Sequence, residues 1–448
     1  MVVPRPTPIS GPLRRSSQYL RSIADLAQHP YTGAENLYRT YGPVWQLGTG
    51  RHSWVYLLGP EANRFVFANS HLFRWREAFE QLIPVDGETA LIVSDGEDHR
   101  RRRRLVAPAF HRQAIDGYVD VMRDRTDAAI DTWLPGRTLD LYQELRTVVR
   151  RITIQVLFGS RLAADEDELG RLLQRVLDLI NESPIVQRVQ RLGLPSYRRA
   201  IRARQEVARR VLVEIDHRRR NPGTDIRDVF SLLVETRDED GGALSEVEIL
   251  DQVISLIAAG YDSTSAAVSW AVHAMAQSPK IWQRAKEEVE RVVPDDRPLT
   301  AADVPRLEYL DRVVNETMRL YPAAPFNARK AAVPFTFQGH RIPQGSLLVL
   351  SPYVTHRLPE VYSDPLRFDP DRWDPELPGY RKPGPHEFLP YGGGLHRCIG
   401  ATFATVEMKV ILARVLRRVE FRFPRASYGK PIGFTVMRPD RLPARVAA

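Results

Sequence analysis

The segment that most constrains this 448-residue sequence ends in its single cysteine, Cys398. It reads FLPYGGGLHRCIGA over residues 388–401, so three glycines precede the thiol and a fourth follows it by two residues. Glycine has no Cβ, which lets a backbone approach a flat ligand closely or adopt positive φ. A helix is predicted directly after the thiol, and its N-terminus, with Arg397 and His396, favours the thiolate. The segment therefore predicts a thiolate presented on a glycine loop, as an axial metal ligand requires.

Two other interpretations of a lone cysteine stay open at this point. A buried, inert cysteine is the commoner case, but it needs neither the glycines nor the neighbouring cations. A nucleophilic cysteine needs a base that the fold brings to it, and the sequence alone does not identify one. A single cysteine does exclude an intrachain disulfide and the cysteine-rich zinc and iron–sulfur sites.

The pattern along the chain predicts a mainly α protein with small β-sheets, formed as one domain over residues 1–448. Residues 1–15 are a proline-rich arm, and short strands are predicted over residues 44–47 and 54–58. Apolar residues recur at helical spacing over most of residues 98–276, and further helices are predicted over residues 281–293, 309–320 and 399–418. The N-terminus lacks the apolar core of a signal peptide, and no run of about 18 apolar residues occurs. We therefore expect a cytoplasmic protein with no membrane span.

A carboxylate and a guanidinium occur three residues apart in the string ETMR, which contributes Glu316 and Arg319 to the predicted helix over residues 309–320. Residues at this spacing share a helix face and can pair. Most such pairs are solvated salt bridges that contribute roughly 0–1 kcal/mol. The string FDPDRW, over residues 368–373, lies downstream and supplies a second arginine, Arg372.

A glycine interrupts the long apolar helix predicted from about residue 250 to 276, within the string AAGYDSTS over residues 258–265. A mid-helix glycine costs about 1 kcal/mol relative to alanine, and hydroxyl side chains there divert backbone hydrogen bonds. One interpretation is a tolerated glycine with Asp262 on the solvent side. The other is a local opening for a small ligand and water, beside Asp262, Ser263 and Thr264.

Five consecutive arginines, Arg100 to Arg104, follow His99. Taken alone, they predict a solvated or nucleic-acid-binding patch. His99 and Arg103 are four residues apart, however, and therefore share one helix face. The sequence carries a formal charge of +9, but acidic residues are interspersed along most of it, so nucleic-acid binding is not predicted.

These four segments together resemble the cytochrome P-450 superfamily, and they occur in that family's order over about residues 95–400. The cysteine segment resembles the haem-binding signature, which makes Cys398 the implied thiolate ligand of the iron. The other residues that match this signature are Tyr391, Gly392, Gly394, His396 and Gly400. Tyr391 is a departure, because the family usually has phenylalanine there.

The resemblance also implies roles for residues outside the cysteine segment. Glu316, Arg319 and Arg372 resemble a triad that braces the loop before the thiolate. Asp262 maps to the acid of a proton relay, followed by Ser263, where threonine is usual, and Thr264. The implied partners of the haem propionates are His99, Arg103, Arg329 and His396. Ala259 and Phe326 map near the open face of the haem.

The resemblance implies the mainly helical P-450 fold with one haem b, which lies between the helix of Asp262 and the loop of Cys398. The implied reaction inserts one oxygen atom from O₂ into a small lipophilic substrate, by hydroxylation or epoxidation. Only 50 residues follow Cys398, too few for a fused reductase, so a separate ferredoxin or flavodoxin with its NAD(P)H reductase is expected. The family's default is a monomer. The expected pocket walls are residues 74–93 and 181–199.

Three alternatives to the monooxygenase remain. One is a haem-thiolate enzyme that rearranges or dehydrates a peroxide without outside electrons; such enzymes tend to lack the acid–alcohol pair, so Asp262 and Ser263 argue against it. The second is a peroxygenase that uses hydrogen peroxide directly, and the third is a non-catalytic protein that binds haem or a lipophilic ligand.

Overall fold

The computed structural model describes residues 7–8, 21, 24–48, 53–179, 190, 193–221, 228–294, 297–424 and 429–447. Most of the proline-rich arm therefore lies outside the described residues, as does most of residues 181–192. Within the described ranges the protein is mainly helical and has four small sheets, which confirms the predicted fold class.

The α-helices, in chain order, are α1 (Pro30–Tyr41), α2 (Pro60–Ala68), α3 (Arg76–Phe79), α4 (Ile83–Asp86), α5 (Gly96–Val106), α6 (Arg112–Asp116), α7 (Val119–Ile130), α8 (Leu141–Ala163), α9 (Glu166–Leu177), α10 (Pro195–Arg220), α11 (Val229–Glu235), α12 (Glu246–Ala276), α13 (Pro279–Val292), α14 (Glu308–Leu320), α15 (Pro352–Thr355) and α16 (Ala401–Arg418). Gly159, with a φ of 73°, breaks the helical path of α8 near its end.

The strands are β1 (Thr7–Pro8), β2 (Val44–Leu47), β3 (Trp54–Leu57), β4 (Phe73–Arg74), β5 (Thr138–Asp140), β6 (Asn327–Ala331), β7 (Phe335–Phe337), β8 (His340–Ile342), β9 (Leu347–Leu350), β10 (Phe421–Arg422), β11 (Pro431–Ile432), β12 (Arg438–Pro439) and β13 (Pro443–Val446). Short 3₁₀ turns link several of the elements, including one over Gly394–His396.

The chain divides into two compact units, and the first contains residues 1–80, 319–367 and 381–398. Its six-stranded sheet has the order β1-β2-β3-β9-β6-β4, and β7 pairs with β8 beside it. Strand β4 is antiparallel to β6, with Phe73 opposite Ala331 and Arg74 opposite Lys330. One face of this sheet packs on an apolar core that includes Val55, Leu57, Phe73, Ile342 and Leu350. The sheet thereby fixes the register of the segment that leads into α3.

The second unit contains residues 81–318, 368–380 and 399–448, and most of the helices. Helix α12 runs through 31 residues and begins four residues earlier than the apolar pattern predicts. Its start is a capping box, in which the Ser245 hydroxyl accepts from the Glu248 amide and the Glu248 carboxylate accepts from the Ser245 amide. Trp270, near the other end, donates from its indole nitrogen to the Met437 carbonyl. The long helix is therefore anchored at both ends.

The other predicted elements match the observed ones within a few residues. The strands begin where predicted, and the helices predicted to begin at residues 281, 309 and 399 begin at Pro279, Glu308 and Ala401. Within the described residues, no helix combines the length and the apolar character that crossing a bilayer requires.

Candidate active site

The single cysteine lies at the end of a tight, partly exposed loop in the first unit. Cys398 is exposed, and its backbone amide donates to the Tyr391 carbonyl over 2.9 Å, which closes the loop. Gly392 and Gly394 have φ values of 65° and 67°, a conformation that side chains other than glycine rarely adopt. A Cβ on Gly393 would lie 2.5 Å from the ring of Phe67. The glycines are therefore required by the backbone path, and the interpretation of Cys398 as a buried inert residue is wrong.

A fully buried arginine and a fully buried histidine hold the chain that leads into this loop. The Arg319 guanidinium donates to the carbonyl oxygens of His356, Pro365 and Arg367, at 2.8, 2.6 and 3.1 Å. The His356 imidazole contacts the Arg319 carbonyl through Nδ1, and its Nε2 accepts from the Leu389 amide over 2.8 Å. Arg319 thus organises backbone in the first unit, which agrees with a bracing role.

The partner residues of Arg319 in the predicted triad, Glu316 and Arg372, lie in the second unit and contact each other. The Glu316 carboxylate is fully buried and accepts from the Asp369 amide at 2.9 Å, Arg372 Nε at 3.5 Å and the Trp373 indole at 3.0 Å. A buried carboxylate with three donors is well satisfied. Glu316 therefore fixes the path of residues 369–373.

An uncharged, partly exposed face occurs in the middle of α12. From Glu248 to Met275, every residue of this helix is buried except Leu256, Ala259, Gly260 and Ser263. These four positions have the spacing of one helix face. Outside the helix's own backbone, no described atom lies within 4 Å of the place a Cβ on Gly260 would take. The Ser263 hydroxyl donates back to the Ala259 carbonyl over 2.6 Å. This face of the helix thus carries no charged side chain and includes one hydroxyl.

The acid of the same motif faces the interior rather than solvent. Asp262 is buried and forms an ion pair with Arg146 of α8, whose Nη2 lies 3.0 Å from Oδ1. The Arg146 guanidinium also lies 5.0 Å from the centre of the Tyr261 ring. The interpretation of Asp262 as a solvent-facing residue is therefore wrong. No local pattern marks Arg146, because it precedes Asp262 by 116 residues.

The arginine run of α5 forms specific ion pairs rather than an open patch. Arg101 and Arg102 both donate to Glu248 Oε1, at 2.8 and 3.0 Å, which ties α5 to the start of α12. Arg100 pairs with Glu97 one turn earlier. His99 is buried, and burial, with the charge of Arg103 as a second cause, lowers its pKa to about 4. His99 is therefore a neutral imidazole at neutral pH.

The chain between α4 and α5 is clasped onto α12. The Asp251 carboxylate accepts from the amide and the hydroxyl of Thr89, at 3.0 and 2.8 Å. Gln252 accepts from the Leu91 amide and donates to the Thr89 carbonyl. Arg204 of α10 donates to Asp251 and to the Val85 carbonyl, at 3.0 and 2.8 Å. The expected pocket wall over residues 74–93 is therefore held at Val85, Thr89 and Leu91 by partly buried hydrogen bonds.

The remaining predicted residues lie apart from these clusters or carry fewer contacts. Phe326 is partly buried and stacks on Tyr31, with ring centres 6.2 Å apart. Gly400 lies where a Cβ would meet the Phe110 ring at 3.9 Å. Trp75, which belongs to no motif, contacts both Arg329 and His396. The sequence carries no local signal for these contacts, because Arg329 and His396 lie more than 250 residues after Trp75.

A family model of cytochrome P450 matches residues 7–442 of the chain. The chain belongs to the cytochrome P450 family. Cytochrome P450 139 of Mycobacterium tuberculosis is 48% identical over 90% of this chain and 94% of its own length. Cyclooctat-9-en-7-ol 5-monooxygenase of Streptomyces melanosporofaciens is 33% identical over 81% of this chain and 79% of its own length. The protein is accordingly an oxidoreductase of the monooxygenase class.

The solved structure of retinoic acid bound cyanobacterial CYP120A1 superposes on the whole chain with a TM-score of 0.87. The comparison covers 99% of that structure at 24% identity, which shows the shared fold alone.

Members of the cytochrome P450 family carry a haem whose iron binds a cysteine thiolate. The described residues fit such a group by their chemistry. The one thiol is exposed on a loop whose glycines leave its backbone accessible, and His396 lies two residues before it. In the second unit, the face of α12 that includes Ala259 and Gly260 carries no charged side chain.

Proposed function

We propose that Cys398 is the thiolate ligand of a haem b and that the protein inserts one oxygen atom from O₂ into a small lipophilic substrate. The observation that carries this proposal is the exposed thiol on a glycine loop closed by its own backbone amide. The bound haem supplies the reductive activation of O₂ that this insertion requires. The chain supplies binding, orientation and protons.

Four basic residues are the proposed partners of the haem propionates: His99, Arg103, Arg329 and His396. His99 acts as a neutral hydrogen-bond donor, because burial lowers its pKa to about 4. The arginines supply charge-assisted hydrogen bonds, which are stronger than neutral ones. Tyr391, Gly394 and Gly400 are proposed to pack against the haem, since glycine admits a close approach of the backbone.

Asp262, Ser263 and Thr264 are the proposed route for protons. The ion pair with Arg146 holds the Asp262 carboxylate in place inside the protein. The Ser263 hydroxyl lies on the open face of α12, where it would hold or pass a proton. Its bond to the Ala259 carbonyl orients this hydroxyl, which serine otherwise holds less firmly than threonine.

The proposed substrate binds along the open face of α12. Leu256 and Ala259 offer apolar contact there, and Gly260 leaves room for a bulky ring. The name of the Streptomyces melanosporofaciens relative describes a cyclic alkenol as its substrate. A lipophilic molecule with a carbocyclic skeleton is therefore the class that we propose, with Phe326 as a further wall residue.

Electrons are proposed to come from a separate ferredoxin or flavodoxin with its NAD(P)H reductase. Arg397 precedes the ligand directly and is exposed, and Arg104 and Arg112 are exposed in the second unit. Exposed arginines of this kind would speed association with an acidic partner. Arg112→Glu reverses a charge and should slow reduction of the protein. Arg220→Glu is the control, because Arg220, like Arg112, pairs with an aspartate four residues away in the sequence; its reduction rate should not change.

The continuous family match over residues 7–442 supports the proposal that residues 1–448 act as a single catalytic domain, a monomer by the family's default.

Turnover tests the function directly. The protein would be supplied with a ferredoxin, its reductase, NADPH, isotopically labelled O₂ and a panel of cyclic terpenes that includes cyclooctat-9-en-7-ol. We expect one labelled oxygen atom in the product. Product formed with hydrogen peroxide alone would indicate the peroxide-driven alternative, and no substrate-dependent electron uptake would favour a binding protein.

A further inference from the structure

Trp75 contacts two of the cationic or basic side chains that the first unit brings toward the cysteine loop. The guanidinium carbon of Arg329 lies 4.0 Å from the centre of the Trp75 ring. The His396 imidazole is nearly parallel to the same side chain, with ring centres 4.2 Å apart and an angle of 5°. Trp75 and Arg329 are both buried. One aromatic side chain thus packs against residues from two distant parts of the sequence.

The backbone explains why these three side chains meet. Strand β4 pairs with β6 so that Arg74 lies opposite Lys330; Trp75 directly follows Arg74, and Arg329 directly precedes Lys330. On the other side, Phe67 packs where a Cβ on Gly393 would lie, and this contact fixes the 3₁₀ turn that carries His396. The contacts therefore follow from the sheet register and the glycine loop.

A cation over an indole ring is attracted to the ring's negative face, and the attraction corresponds to a factor of about 2 to 30 in an equilibrium constant. A guanidinium and an imidazole that are already oriented lose less conformational freedom when they bind an anion. Preorganised cations also offset the negative charge of that anion more completely than mobile ones.

We propose that Trp75 is a positioning residue, which orients Arg329 and His396 toward the carboxylates of the bound cofactor. This inference rests on the proposed function, in which those two residues bind the haem propionates. Loss of the indole leaves both side chains in place but no longer oriented, so haem leaves faster. The less completely neutralised propionates then favour the ferric state, so the reduction potential falls.

A purely structural role is the competing explanation, because Trp75 also stacks on Phe79 at 4.6 Å between ring centres. Phe79 therefore gives a matched control, since Phe79→Leu removes a ring from the same stack without removing the contact to either basic residue. At position 75 itself, Trp75→Leu removes the aromatic face, whereas Trp75→Phe retains one.

The experiment measures two properties of the haem-loaded protein: the rate of haem transfer to excess apomyoglobin and the midpoint reduction potential. We expect Trp75→Leu to release haem about tenfold faster than the wild type, within the range for this interaction, and to have a lower potential. Trp75→Phe should restore most of both properties, and Phe79→Leu should leave both near wild type even if its unfolding temperature falls.

A double-mutant cycle with Arg329→Gln tests whether Trp75 acts through the arginine. We expect the change at Trp75 to accelerate haem release less when Arg329 is already absent. Trp75→Met, which also lacks an aromatic face, serves in the same cycle if Trp75→Leu does not fold. Equal effects of Trp75→Leu and Phe79→Leu on both properties, or full additivity in the cycle, would overturn the proposal. A wild-type protein that takes up no haem would instead contradict the proposed function itself.

Discussion

A buried carboxyl group in α4, in the segment hydrogen-bonded to α12, makes the stability of this protein dependent on pH. Asp86 ends α4 and is almost fully buried, beside Ser255 of α12. Burial raises its pKa from 3.8 to about 7; the hydrogen bond with Ser255 and the charge of Arg204 oppose this rise, and the charge of Asp251 adds to it. The folded state therefore keeps Asp86 protonated up to neutrality, whereas the unfolded chain ionises near pH 4.

The sign and size of the effect follow from this difference in pKa. Between about pH 4 and pH 7 unfolding releases a proton, so stability falls as the pH rises and levels off above pH 7. A rise from 3.8 to about 7 corresponds to about 4 kcal/mol at about 1.4 kcal/mol per pH unit. Relaxation of the protein around the charge makes this value an upper bound. The hydrogen bonds between this segment and α12 should weaken over the same range, from about pH 4 to pH 7.

Guanidinium unfolding at a series of pH values, followed by tryptophan fluorescence, measures the effect. We expect Asp86→Asn to be less sensitive to pH than the wild type between pH 5 and pH 8, and to gain stability relative to it as the pH rises. Asp240→Asn, at an exposed aspartate, is the control and should follow the wild type. Wild-type and Asp86→Asn curves that run parallel over this range would refute the reasoning.

Three further predictions concern buried charges near the candidate site. Glu316→Gln replaces an acceptor oxygen with a donor beside the Asp369 amide and the Trp373 indole, so we expect a loss of about 2–4 kcal/mol in unfolding free energy, and Glu316→Asp should recover part of it. Asp262→Asn should lower product formation about 100-fold and increase the solvent isotope effect, because proton delivery is impaired, and unchanged turnover would contradict the proposed relay. Glu407 of α16 is buried, both of its carboxylate oxygens are unpartnered among the described residues, and burial raises its pKa. Glu407→Gln should therefore be more stable than the wild type at alkaline pH and should lose that advantage toward acid pH, measured in the same unfolding assay.

The sequence predicted those parts of the site that are encoded by local chemistry. The glycines before Cys398 predicted a special backbone, and Gly392 and Gly394 do adopt positive φ. The apolar period predicted α12, but it missed the first turn because Ser245 and Glu248 are polar. Their capping box was readable from the serine and glutamate three residues apart.

Other parts of the site depend on tertiary contacts that no local pattern reports. Arg146 meets Asp262, and Trp75 meets Arg329, only after distant segments have folded together. The arginine run of α5 is a case in which a clear local pattern misleads, because Arg101 and Arg102 both form ion pairs with Glu248. A run of charge in the sequence therefore says little about surface charge until its partners are known.

The absorbance spectrum of the protein, reduced with dithionite and exposed to carbon monoxide, tests the thiolate ligand most directly. We expect the strongly red-shifted Soret band of a thiolate–iron–carbonyl complex in the wild type, and its loss in Cys398→Ser. A wild-type band typical of histidine-ligated haem, or a red-shifted band that persists without Cys398, would contradict the assignment of Cys398 as the ligand.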